Sequence, residues 1–140
     1  MKWNHKVLLF AAFAAVLMIA VYASMPKAPK IMLSATSFDA GDIDPAKGIW
    51  EKKFSIRNEG NAPLIIEGIS TSCGCTKAKA AEEKIKPGKE TELNVTYDPS
   101  THPGLTGRIE RIVYISSNDP ENPETELKIT GNVLPLENAK

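Results

Sequence analysis

From Ile31 onward, apolar residues recur at every second position in short runs, and each run stops at a cluster of Gly, Pro, Asn or Asp. Alternate side chains of an extended chain point to opposite faces, so a period of two demands strands with one face buried. Six or seven strands are expected. IMLSA and SFDAGDI open the series, with Phe38 and Ile43 as core contacts on either side of a bend at Ala40–Gly41. WEKKFSIRN turns Phe54 and Ile56 inward against Ser55 and Arg57, and NEGNAP closes it with a turn. LIIEGIS delivers the chain to Cys73, and KPGKE supplies a tight reversal whose Pro87–Gly88 pair presets the backbone. TELNVTYD alternates Leu93, Val95 and Tyr97 inward, and TELKITGNV does the same with Leu127, Ile129 and Val133. GRIERIVYISS is apolar on both faces from Ile112 to Ile115, which places it centrally in a sheet.

After residue 30 no stretch sustains a helical period, apart from one turn around Lys79 to Lys84. The fold class is therefore all-β: an immunoglobulin-like antiparallel β-sandwich over residues 31–136, with a small barrel as the runner-up. The 9 Gly and 10 Pro in 140 residues suit so many turns. One domain of this length buries a core without disulfide staples. Residues 137–140 read as a tail.

Ahead of the strands, MKWNHK is followed by VLLFAAFAAVLMIAVYA, Val7 to Ala23, 17 residues without a charge or a strong helix breaker. A basic start and an apolar core make an export signal, and Val21-Tyr22-Ala23 suits cleavage after Ala23. The run exceeds the roughly 7–15 residues of a signal core and approaches the roughly 17–25 of a membrane span. Residues 1–23 therefore read as an N-terminal hydrophobic helix that is either a cleaved signal peptide or a single transmembrane anchor. If uncleaved, residues 7–23 would hold the protein to the membrane, and Lys2 and Lys6 set the same orientation in both cases. SMPKAPK, residues 24–30, reads as a tether. The expected location is extracytoplasmic, in the periplasm or at the cell surface.

The 17 Lys and Arg balance 17 Asp and Glu, and with Lys2 and Lys6 set aside the remainder carries a net charge of −2. That leaves no basic footprint for nucleic acid. Lys77, Lys79, Lys84, Lys86 and Lys89 alternate with Glu82, Glu83 and Glu90, as a solvated loop would.

Chemistry has few candidates. Apart from His5 in the N-terminal segment, the one histidine is His102 in the loop THPG. Nucleophilic catalysis needs a base within hydrogen-bond reach, and neither a phosphate-cradling glycine loop nor a calcium loop is present. No catalytic set is expected, and the only conceivable enzymatic activity is thiol redox chemistry. It would fall to the two cysteines, Cys73 and Cys75, in SCGCT. Four readings of the pair stand side by side. It closes as a small, redox-labile disulfide, helped by the backbone freedom of Gly74; or it binds a soft metal, Cu(I), with His102 assisting. Alternatively it bonds to a partner's thiol, or it stays reduced and partly buried. Zinc would want four ligands, which the sequence does not supply. No other cofactor is suggested.

The series FDAGDI, FSIRNEGNAPLIIEGISTSCGCT, IKPGKETELNVTYDP and GRIERIVYISSNDPENPETELKITGNV resembles the bacterial domain of unknown function 1573 family over residues 36–134. Ser72 to Thr76 is its most specific element, supported by Asn58-x-Gly60, Pro87-Gly88 and Ser117-Asn118-Asp119. The resemblance implies an exported immunoglobulin-like domain and names no reaction. The functional expectation is an exported binding or envelope-structural module with an envelope protein as partner. The rival is a periplasmic thiol-dependent factor, a disulfide exchanger or Cu(I) carrier, using Cys73 and Cys75.

Overall fold

The computed structural model describes residues 4–24 and 26–136; Lys2, Met25 and the expected tail, residues 137–140, lie outside them. Alternation builds the strands. In β3 (Trp50–Asn58), Phe54, Ile56 and Asn58 are buried, and in β7 (Glu90–Tyr97), Thr91, Leu93, Val95 and Tyr97 are. These two strands pair antiparallel, with Phe54 opposite Leu93. β1 (Ile31–Leu33) adds on the β3 side and β5 (Thr76–Ala80) on the β7 side, giving the order β1-β3-β7-β5. The second sheet runs β2-β9-β8-β4-β6, built from β2 (Ser37–Ile43), β9 (Glu124–Val133), β8 (Gly107–Ser117), β4 (Leu64–Thr71) and β6 (Lys84–Ile85). Between the sheets Ile56, Leu93 and Val95 belong to one buried core with Leu64, Val113, Ile115 and Leu127. Burying each such aliphatic side chain stabilises the fold by roughly 1.5–3 kcal/mol. A smaller cluster of Ile43, Cys75, Tyr97, Ile109 and Val133 fills one end of the sandwich.

Two expectations need correction. Among the described residues the sandwich has nine strands, because the lysine-rich stretch read as a loop with a helical turn contains β5 and β6. In β5 only Thr76 and Ala80 are buried while Lys77 and Lys79 face solvent, so the apolar contrast is too small to register as a strand. Pairing along β7 supplies what periodicity does not, and lysines suit an edge strand that must not pair further. The sandwich is also not wholly antiparallel: β2 runs parallel to β9, with a bulge between Asp39 and Asp42 at Gly41 (φ 65°). A chain segment separated from its partner by most of the domain needs no hairpin and is free to pair parallel.

Ahead of the sandwich the expected N-terminal helix is present as α1 (His5–Ala23), with large apolar side chains exposed. Among the described residues no helix is long and apolar enough to cross a membrane.

The expected tether is tied down at its far end. Ala28 and Asn61 exchange bonds of 2.8 and 3.0 Å, and Glu59 N–H donates to the Lys30 carbonyl at 2.8 Å. Buried Asn58 holds this corner. Its amide donates to the Ala62 and Ile85 carbonyls, and its Oδ1 accepts from Gly60 and Lys30.

Candidate functional site

The residues Ser72 to Thr76 form the link from β4 to β5, and hydrogen bonds fix it on three sides. Ser72 exchanges two 2.9 Å bonds with Ile112 of β8, one through its backbone N–H and one through its Oγ. Thr76 N–H donates to the Cys73 carbonyl at 3.0 Å, closing a four-residue turn. Asp98 N–H donates to the Cys75 carbonyl at 2.8 Å, which ties the cysteine turn to the loop after β7.

Within that frame Cys73 and Cys75 form a disulfide, S–S 2.09 Å, with Cα atoms 5.2 Å apart, inside the ordinary window of roughly 4.4–6.8 Å. The bond is intramolecular. Gly74, between them, does not have the positive φ that would require glycine, and a Cβ there would meet nothing within 4 Å. Backbone freedom is therefore not why the pair closes, against the sequence expectation. The turn bond and the Ser72 ties bring the two Cα atoms together.

The two sulfurs differ in surroundings. Cys75 is 3% exposed and packs in the cluster with Tyr97, Ile43, Ile109 and Val133. Its Sγ accepts a hydrogen bond from Arg111 Nε at 3.2 Å. The same guanidinium lies over the Tyr97 ring, 5.5 Å from its centroid, and donates from Nη1 to the Glu110 carbonyl at 2.7 Å. Cys73 is half-buried, and its Sγ lies 3.5 Å from His102 Nε2 while accepting from Cys75 N–H at 3.2 Å. The less buried cysteine, Cys73, has its sulfur beside an imidazole, and the buried one, Cys75, has its sulfur beside a fixed cation.

His102 owes its place to the short 3-10 turn Pro99–Thr101 that precedes it. The Asp98 carboxylate accepts from Ser100 N–H at 2.9 Å and Ser100 Oγ–H at 2.6 Å. The Ser100 hydroxyl first, and its backbone N–H second, hold that carboxyl below the usual range. The loop then closes with Leu105 N–H on the His102 carbonyl at 3.1 Å. Beside it a surface pocket of about 400 Å³ is lined by His102 together with Pro99, Pro103, Leu105, Leu134 and Leu136.

All three residues singled out from the sequence thus meet at one place. The ligand atoms of Cys73, Cys75 and His102 lie within 4.8 Å of one another, the one such group of three metal-capable side chains among the described residues. Arg111 was missed, although a signal existed. In β8 the residues Ile109, Val113 and Ile115 are buried at one parity, and Arg111 holds that inward parity between them. A charge where a period of two calls for an apolar residue marks a partner inside.

The family described as "Protein of unknown function (DUF1573)" matches residues 31–133, which takes in both cysteines, His102 and Arg111. No curated protein matches the sequence. Among solved structures, a protein of unknown function from Porphyromonas gingivalis is 26% identical with a TM-score of 0.69, over 79% of this chain and 50% of that one. This chain therefore spans about half the length of that protein. The ASH/PapD-like domain 7 of human CEP192 is 10% identical with a TM-score of 0.59, over 81% of this chain and 92% of that domain. The VesB protease of Vibrio cholerae is 9% identical with a TM-score of 0.54, over 83% of this chain and 33% of that one. The last two are likenesses of fold alone.

Proposed function

The chain belongs to the DUF1573 family, and from that premise we propose that it is an extracytoplasmic immunoglobulin-like domain whose Cys73–Cys75 disulfide exchanges with the thiols of envelope proteins. The observation that carries this reading is the asymmetry of the bond: a half-buried cysteine beside His102 and a buried one beside Arg111. A basic segment followed by an apolar one, residues 1–23, supports export to a compartment where disulfides persist.

The chemistry follows from the surroundings. An incoming thiolate reaches Cys73 Sγ and forms a bond to it; the Sγ–Sγ bond breaks, and its electron pair stays on Cys75 Sγ. The Arg111 Nε–H that donates to the neutral sulfur donates more strongly to the thiolate, because a hydrogen bond between charged groups is about twice as strong as a neutral one. In the neutral tautomer with Nε2 unprotonated, His102, 3.5 Å from Cys73 Sγ, is the base within reach of the attacking thiol's proton. A second thiol of the partner then attacks the mixed disulfide on the partner's own sulfur. Cys73 leaves as a thiolate, the partner gains a disulfide, and the domain is left reduced. The apolar pocket next to His102 suits hydrophobic residues flanking the partner cysteine.

What favours this reading over a passive binding module is that the half-buried Cys73 sulfur lies beside an imidazole while the Cys75 sulfur accepts from a guanidinium. The test incubates the full chain with a dithiol peptide at neutral pH. The expected result is peptide oxidation faster than by an equal concentration of oxidised glutathione, lost in the Cys73→Ser, Cys75→Ser double variant. A rate no different from that of the double variant would retire the exchange reading.

A further inference from the structure

We propose that the reduced domain binds one Cu(I) ion through Cys73 Sγ, Cys75 Sγ and His102 Nε2, and that the disulfide is the lock that excludes it. The inference rests on the exchange reading, because partner thiols are what would open the lock. Three soft or borderline donors already converge within 4.8 Å, from two loops that hydrogen bonds hold together at Asp98 and Cys75. In the oxidised state the two sulfurs are bonded to each other and have no thiolate to offer. Opening requires a dithiol: its two hydrogens and two electrons pass to the Sγ–Sγ bond, the dithiol becomes a disulfide, and both cysteines become thiols. Cu(I) then replaces the two thiol protons.

The choice of metal follows from charge and ligand number. Two thiolates and an imidazole make the soft, three-coordinate set that suits Cu(I). Zinc in a closed site takes four ligands, and among the described residues no fourth histidine, cysteine or carboxylate joins the group. Arg111 decides the matter further. Its guanidinium lies against Cys75 Sγ, so two thiolates and one fixed cation leave a single net negative charge in a part-buried place. A monovalent ion neutralises that charge, whereas a divalent one leaves an uncompensated positive charge beside Arg111.

The test titrates the full chain with Cu(I) against a chromophoric chelator, in fully reduced and fully oxidised forms, and measures thiol exchange on the same preparation without metal. The expected result is one Cu(I) per reduced chain and none per oxidised chain, with His102→Ala weakening the affinity at least tenfold while circular dichroism stays unchanged. X-ray absorption of the loaded protein should show two sulfur ligands and one nitrogen. A reduced wild type that takes no more copper than the Cys73→Ser, Cys75→Ser variant overturns the site, as does an equal affinity in His102→Ala or displacement of Cu(I) by equimolar Zn(II). A chain that exchanges thiols but takes no copper overturns this inference and leaves the exchange reading standing. One that takes copper after chemical reduction but exchanges with no dithiol supports the site and overturns the exchange reading.

Discussion

Arg111 and Gly60 show what single positions contribute. The Arg111 guanidinium stabilises a thiolate on Cys75 more than it stabilises a disulfide sulfur, so it favours the reduced form. Replacing it with Met removes a charge-assisted bond of roughly 1.5–3 kcal/mol. Because the bond to the disulfide sulfur is lost as well, about half of that energy acts on the equilibrium, and the disulfide of Arg111→Met is expected to become harder to reduce, its potential falling by about 15–30 mV in a glutathione equilibrium; an unchanged or higher potential would mean that Arg111 serves packing only. Gly60 and Gly74 make a matched pair for stability. A Cβ on Gly60 would stand 2.3 Å from the Ala28 carbonyl and 2.6 Å from Lys30 N, both backbone atoms that cannot step aside. Gly60→Ala should cost about 3 kcal/mol or more in urea denaturation, and Gly74→Ala no more than about 0.5. Both glycines lie in family-like motifs, yet one meets backbone and the other meets nothing, a distinction that spacing along the chain does not carry.

The motif Ser117-Asn118-Asp119 joins two elements. Asp119, 1% exposed, accepts from Ile31 N–H at 2.9 Å and from the N–H groups of Glu121 and Asn122, so it fastens β1 to the turn before β9. Burial pushes its carboxyl up, and those backbone donors more than offset the effect, so the carboxyl sits below its ordinary value. Because the folded value is depressed, the ionised form stabilises the fold fully above the unfolded value of about 3.9, and that contribution fades as pH falls through the folded value. The stability gap between wild type and Asp119→Asn should be constant from about pH 7 to 5 and shrink below about 4. A gap that does not change with pH would show that the carboxylate charge has no part in holding β1. Seven of the nine strands were legible as period-two runs, because their inward residues are large and apolar. β5 and β6 were not, since Thr76, Ala80 and Ile85 give little contrast and only pairing with β7 and β4 makes them strands. The parallel pairing of β2 with β9 was equally hidden, as strand direction is set by tertiary contact between segments far apart in sequence.

At the scale of the molecule, the two sheets leave one end of the sandwich to a small cluster around Tyr97, and the disulfide closes over it. Cys73, Cys75 and His102 could be picked out as the only candidates because the chain offers so few reactive side chains. Their convergence depends on the loop after β7 being tied to the cysteine turn, which no local pattern announces. The arrangement gives the two cysteines unequal access, and everything proposed for the site depends on that inequality. It is tested most directly by trapping mixed disulfides. Cys75→Ser and Cys73→Ser variants of the full chain, each with one thiol, are incubated with oxidised glutathione and followed by intact mass. The expected result is rapid glutathionylation of Cys75→Ser through the less buried Cys73, and reaction of Cys73→Ser at least tenfold slower. Equal rates in the two variants, or faster reaction through Cys75, would contradict the exchange site.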